Sequence, residues 1–173
     1  MIKTVLKIVH FFILLLFLII QIVILEQFNF YGSGINLLFV AIIAISIVDG
    51  YIYGIFYGLT FGLMLDILSG GLIGLNALVF TLAAFISYRI YKLGFKPKLL
   101  TYIIIVPAVT ILDVLLPNLV YYAFGFGIKP AFLFISFFLQ PAINTVLVFG
   151  VFPVMRLGSK RKEELGFLYK KKI

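Results

Sequence analysis

The sequence predicts an all-α polytopic membrane protein with six transmembrane helices, and three observations carry that prediction. The chain is 64% hydrophobic with a mean hydropathy of +1.26, whereas a soluble domain is nearer half apolar. Several of its apolar runs approach the ~20 residues that cross a bilayer. Its basic residues sit in short flanks between those runs. A net charge of +8 distributed in this way does not point to nucleic acid. With only 12% of its 173 residues charged, the chain leaves no room for a soluble domain. Residues 1–155 read as a six-helix transmembrane domain and residues 156–173 as a basic cytoplasmic tail. Cysteine is absent, so disulfides and thiolate sites are excluded.

Each element has a local justification. Span 1, about His10–Leu25, follows Lys3 and Lys7 much as the apolar core of a signal peptide would. No A-x-A-like site follows it; the run ends in Glu26-Gln27-Phe28-Asn29, so it reads as an uncleaved span. A polar turn with two glycines, Glu26 to Gly34, leads to span 2, about Ile35–Val48, which is short and ends at Asp49-Gly50. Span 3, about Tyr51–Leu68, stops at the turn signal Ser69-Gly70-Gly71. Span 4 is about Gly74–Tyr91, and a basic loop from Lys92 to Lys98 contains Gly94 and Pro97. Span 5, about Leu99–Tyr122, is expected to be interrupted by Pro107 and Pro117. A Gly-rich turn, Ala123 to Pro130, precedes span 6, about Ala131–Met155.

The stretch from Ile35 to Leu68 decides the topology. As one helix it would be about 50 Å long, too long for a hydrocarbon core of ~30 Å. Two crossings or a re-entrant hairpin fit better. With six crossings and the N-terminus inside, Lys129 alone of the 14 Lys and Arg residues falls outside, a strong positive-inside bias. Tyr121 and Tyr122 at the outer end, and Tyr88, Tyr91 and Tyr102 at the inner, suit interfacial aromatic belts.

Span 3 organises the rest. Gly50, Gly54, Gly58 and Gly62 recur every fourth residue, and the same spacing then reaches Asp66 and Gly70. Residues four apart share a helix face. In water each interior glycine would cost a helix roughly 1 kcal/mol against Ala; in a bilayer a small-residue face lets a neighbouring helix approach closely. Asp66, at the outer end of that face, lies across a turn from Asn76 and, with Ser69, forms a polar hairpin or partner site. It can accept from Asn76 or from free N–H groups at the start of span 4, where the helix dipole favours an anion. That is either a structural cap or a polar site for a ligand or partner.

Intramembrane acids are costly and often functional. Asp113 and Gln140 each lie about nine residues from the outer end of their spans, roughly 13 Å deep, and Asn144 is one turn below Gln140. They form either an interhelical hydrogen-bond cluster or a proton or solute site. The polar groups as a whole are few and scattered by depth, which weighs against a solute pocket. Asp49 and Gly50 read as an interfacial turn.

Catalysis is poorly provided for. A Ser69 nucleophile needs a base within hydrogen-bond reach, but the single histidine, His10, is expected about a bilayer thickness away. One His and no Cys argue against a transition-metal site. The glycines lack the GK[ST] and preceding strand of a phosphate loop. No cofactor is expected.

The segment Gly54–Ala77, with its glycine-spaced helix, Leu65-Asp66, a Ser-Gly turn and Gly74-Leu75-Asn76-Ala77, resembles the signature region of the rod-shape-determining protein MreD family. Length and six spans agree along nearly the whole chain. The resemblance implies a non-enzymatic scaffold or regulator of cell elongation and lateral peptidoglycan synthesis in the bacterial plasma membrane, with both termini cytoplasmic. It implies as partners an MreC-like bitopic protein, the glycosyltransferase RodA, a class B penicillin-binding transpeptidase and the actin-like MreB. It also implies a six-helix arrangement resembling the substrate-binding subunit of energy-coupling-factor vitamin transporters, which makes such a subunit the rival reading. Those subunits usually carry an A-x-x-x-A face on their first helix, and here span 1 has no Ala or Gly between His10 and Leu25.

Overall fold

The structure is a computed structural model that describes residues 2–25, 34–95, 98–125 and 130–156, excepting the side chains of 2–6 and 132. The basic tail and the Gly-rich turn before span 6 lie largely outside these residues. Six helices follow one another: α1 (Ile2–Val23), α2 (Leu37–Asp49), α3 (Tyr51–Ser69), α4 (Leu75–Lys92), α5 (Leu99–Ala123) and α6 (Pro130–Arg156). Three are long and apolar enough to cross a membrane: α3, α5, and Leu133–Met155 of α6.

The bundle is built around α2. Its ten residues from Leu38 to Ile47 are all buried, as expected of a helix that is hydrophobic all round. It packs against every other helix, while α1 leans on α2 and α3. The closest pairs are the α3–α4 and α5–α6 hairpins. Asn36 starts α2 as its N-cap, its side-chain oxygen accepting from the Phe39 N–H at 3.1 Å. Gly50, at φ 103°, both ends α2 and starts α3. A one-residue joint of this kind requires the left-handed region that glycine enters freely. The doubling of Ile35–Leu68 into two helices is therefore real, although α2 is only about 20 Å long.

Three expectations change. The first helix begins at Ile2 rather than near His10, because nothing in residues 2–9 breaks a helix and the polar start merely precedes the apolar run. α5 runs unbroken through Pro107 and Pro117. Within it, Thr110 Oγ1 donates to the Val106 carbonyl at 2.8 Å and Asn118 Nδ2 to that of Val114 at 2.7 Å. Tyr102 is buried against Phe152 rather than standing in an interfacial belt, because the first turn of α5 already lies against α6. Tyr121 and Tyr122 are exposed.

Candidate functional site

The glycine face is used within the chain. A Cβ at Gly62 would stand 2.5 Å from Ala77 Cα and 2.6 Å from Ala77 N. At Gly58 it would meet the Phe80 carbonyl at 3.0 Å, and at Gly54 the Ser46 Cβ at 2.6 Å and the Ala84 Cβ at 3.0 Å. The backbone of α3 thus lies directly on α4 and, at Gly54, on α2. The Ser46 hydroxyl donates to the Ala84 carbonyl and ties α2 to α4 at the same level. Gly50 stands apart from this face. It is the turn residue between α2 and α3, and a Cβ there would meet nothing within 4 Å.

Where the glycine face ends, Asp66 is 1% exposed and both of its oxygens are occupied. Oδ1 accepts from Asn76 N at 3.1 Å and Asn76 Nδ2 at 2.8 Å; Oδ2 accepts from Gly74 N at 2.9 Å and Ala77 N at 3.3 Å. Three of the four donors are backbone N–H groups at the start of α4, which its own helix cannot satisfy. Their partial positive charge matches the carboxylate. Ser69 is exposed at the end of α3 and makes no hydrogen bond to Asp66 among the described residues.

Asp113 is held differently. Asn36 Nδ2 at 3.0 Å and Gln140 Nε2 at 2.7 Å both donate to its Oδ2. Asn144 does not reach Asp113. Its Nδ2 donates to Thr110 Oγ1 at 3.3 Å and its Oδ1 accepts from the Asn36 N–H at 3.3 Å. Nearby, Gln21 binds the start of α2 with both ends of its amide, to the Ile35 carbonyl at 2.6 Å and from the Leu37 N–H at 2.9 Å. Asn36, Gln21 and Thr110 are not singled out by the sequence pattern above. Two signals were there to find them: an Asn just before an apolar run marks an N-cap, and Gln21 is the only polar residue from Phe11 to Leu25.

These two regions border one cavity of about 350 Å³. Asn76 and Ser69 line one side; Asn36, Asp113, Asn118, Ser136 and Gln140 line the others, with Gln21. The expected scatter of polar groups by depth does not hold. Successive helices reverse direction, so the ends of α1, α3 and α5 meet the starts of α2, α4 and α6 at one end of the bundle, and their amides converge there.

The opposite end holds a second, partly buried polar pair. His10, 2% exposed, places Nδ1 2.7 Å from Asp49 Oδ2. Lys7 bonds the Tyr53 hydroxyl, and the Tyr57 hydroxyl donates to the Lys7 carbonyl at 3.1 Å. Asp49, expected in an interfacial turn, instead anchors α1 to α2, because α1 passes beside the α2–α3 joint. This keeps the only histidine far from Ser69.

Comparison with known proteins returns no match among curated proteins and none among solved structures. The family model described as rod shape-determining protein MreD matches residues 2–157 of the 173, a stretch that includes all six helices. With most of its length matched, the chain belongs to the rod shape-determining protein MreD family.

Proposed function

We propose that this chain is a non-enzymatic membrane scaffold or regulator of the cell-elongation machinery, crossing the plasma membrane six times with both termini in the cytoplasm. The family match across residues 2–157 carries this reading, since membership implies a role in rod-shape determination. An MreC-like bitopic protein, RodA, a class B penicillin-binding transpeptidase and MreB are the proposed partners. The tip of the α3–α4 hairpin is the proposed contact surface: Ile67, Leu68, Ser69 and Ile73 are exposed around it, while buried Asp66 and half-buried Asn76 hold its shape. The glycine face serves that surface from within, by fixing how α3 lies on α4.

The test is genetic and biochemical together. In a rod-shaped bacterium whose own copy of the gene is deleted, cells should round up, and this chain should restore rods and recover an MreC-like protein in pull-downs. Cysteines replacing Ile73 and Leu93, both strongly exposed, should label from outside the cell and only after permeabilisation, respectively. Rods that persist without the gene, with a vitamin co-purifying in place of any protein partner, would favour a transporter subunit instead.

A further inference from the structure

We infer that the cavity beside Asp113 binds a small, donor-rich solute carrying an ammonium group, with the Asp113 carboxylate as its counter-charge. Asp113 is 7% exposed, yet both of its amide donors reach Oδ2. Oδ1 receives no hydrogen bond among the described residues. Nor is it sealed in: the fully enclosed side-chain atoms without partners there are Thr81 Oγ1 and Ser87 Oγ. Its free lone pairs therefore open onto the cavity that Asp113 lines.

The other polar groups lean the same way. Among the described residues, the five primary amides around the cavity each give an N–H to a protein oxygen: Gln21 to Ile35, Asn36 and Gln140 to Asp113, Asn76 to Asp66, and Asn118 to Val114. The side-chain oxygens of Asn76, Asn118 and Gln140 accept nothing among the described residues. What remains for a ligand is a second N–H on each amide, these free oxygens, and the single acid, which is the one formal charge among the described lining residues. Among the described residues no Lys, Arg or His lines the cavity, so an anionic solute would find no cation there to offset its repulsion by Asp113. A buried acid, for its part, gains most from a cation that also donates hydrogen bonds. A volume of about 350 Å³ lies at the small end of ligand pockets and suits a compound the size of an amino sugar. An aminophospholipid headgroup offers the same ammonium, and the free solute is the source inferred here, because the described lining holds no cation to receive the lipid's phosphate.

The chain has no cysteine, so Asn118→Cys supplies a single reporter in the cavity wall. In nanodiscs of phosphatidylglycerol, it should react about tenfold faster with cationic aminoethyl methanethiosulfonate than with the anionic sulfonatoethyl reagent, relative to a free thiol. Adding Asp113→Asn should abolish that preference, and adding Gln140→Glu instead should increase it, so the prediction stands on a second variant if the first fails to fold. Millimolar D-glucosamine, ethanolamine or spermidine should slow the labelling, whereas D-glucose and D-glucuronate should not. Equal rates for the two reagents, or protection by glucuronate, or protection by none of the three amines, would overturn the inference. Protection seen only when phosphatidylethanolamine is in the disc would overturn the free solute and assign the ammonium to lipid.

Discussion

Two buried acids at the same end of the bundle, Asp66 and Asp113, sit in opposite circumstances. Asp66 is closed: four donors fill both oxygens, and three of them are backbone N–H groups fixed by the start of α4. Asp113 is open: two side-chain amides share one oxygen, the other accepts nothing among the described residues, and the residue lines a cavity. An acid satisfied by backbone is held by the fold itself and has nothing left to offer. An acid satisfied by side chains can exchange those partners for a ligand. Burial alone, nearly the same for both, does not separate structure from site; the identity and placement of the donors do.

The largest effect expected lies on the closed side. Gly62→Leu should abolish folded protein, or lower stability by on the order of 3 kcal/mol, because the new side chain would collide with the Ala77 backbone. Gly58→Leu should follow it closely. Gly150→Leu, where a Cβ meets nothing within 4 Å, is the control, and thermal melts of the detergent-purified protein would rank the three. Equal melting points would mean that the α3–α4 contact contributes nothing.

Asp66→Ala comes next. It removes the acceptor of the Gly74 and Ala77 N–H groups and of both Asn76 donors; Asn76 borders the cavity, where water can take up part of what is lost, so the net cost should be about 1–3 kcal/mol. Hydrogen exchange at the start of α4 should accelerate, and recovery of an MreC-like partner should fall. Amine protection of the Asn118→Cys reporter thiol should persist. Loss of that protection together with unchanged partner recovery would reverse the roles assigned to the two acids.

Asp113→Asn should be milder for stability, about 1 kcal/mol or less, because the amide oxygen still accepts one of the two bonds. A melting point that fell as far as for Asp66→Ala would remove the contrast between them. Phe56→Leu is the smallest change. The ring is 58% exposed on the outer face of α3, so its loss should stay within about 0.5 kcal/mol. A large loss in whole cells with an unchanged melting point would reveal a partner on that face.

How much can be read in advance follows from sequence separation. The Asp66–Asn76 pair is ten residues apart across a turn marked by Gly70, so local spacing is enough to place it. Asp113 and Gln140 come together by counting depth on adjacent helices. Asn36 lies 77 residues from Asp113 and 108 from Asn144, and no periodicity reports which non-neighbouring helices meet. The same limit hides the His10–Asp49 pair, although both residues are expected at the same end. Gly50 misleads for a different reason: the four-residue rhythm cannot tell a glycine that admits a neighbour from one that admits a positive φ. The helix ends are legible because Gly50, Gly70 and Gly94 punctuate them.

The central position of α2 bears on how the molecule is made. Mean hydropathy suggests that the most apolar segment is the one that touches lipid. Here the segment Leu38–Ile47, apolar except for Ser46, is enclosed by the other helices in the finished protein. Chains emerge from the ribosome N-terminus first, so on the six-crossing reading α2 enters the bilayer before α4, α5 and α6 exist to surround it. Its all-round apolarity then acts as a passport for the interval in which every face meets acyl chains. The Ser46 hydroxyl, whose acceptor on α4 has yet to be synthesised, is the one polar side chain in that stretch that must wait for its partner.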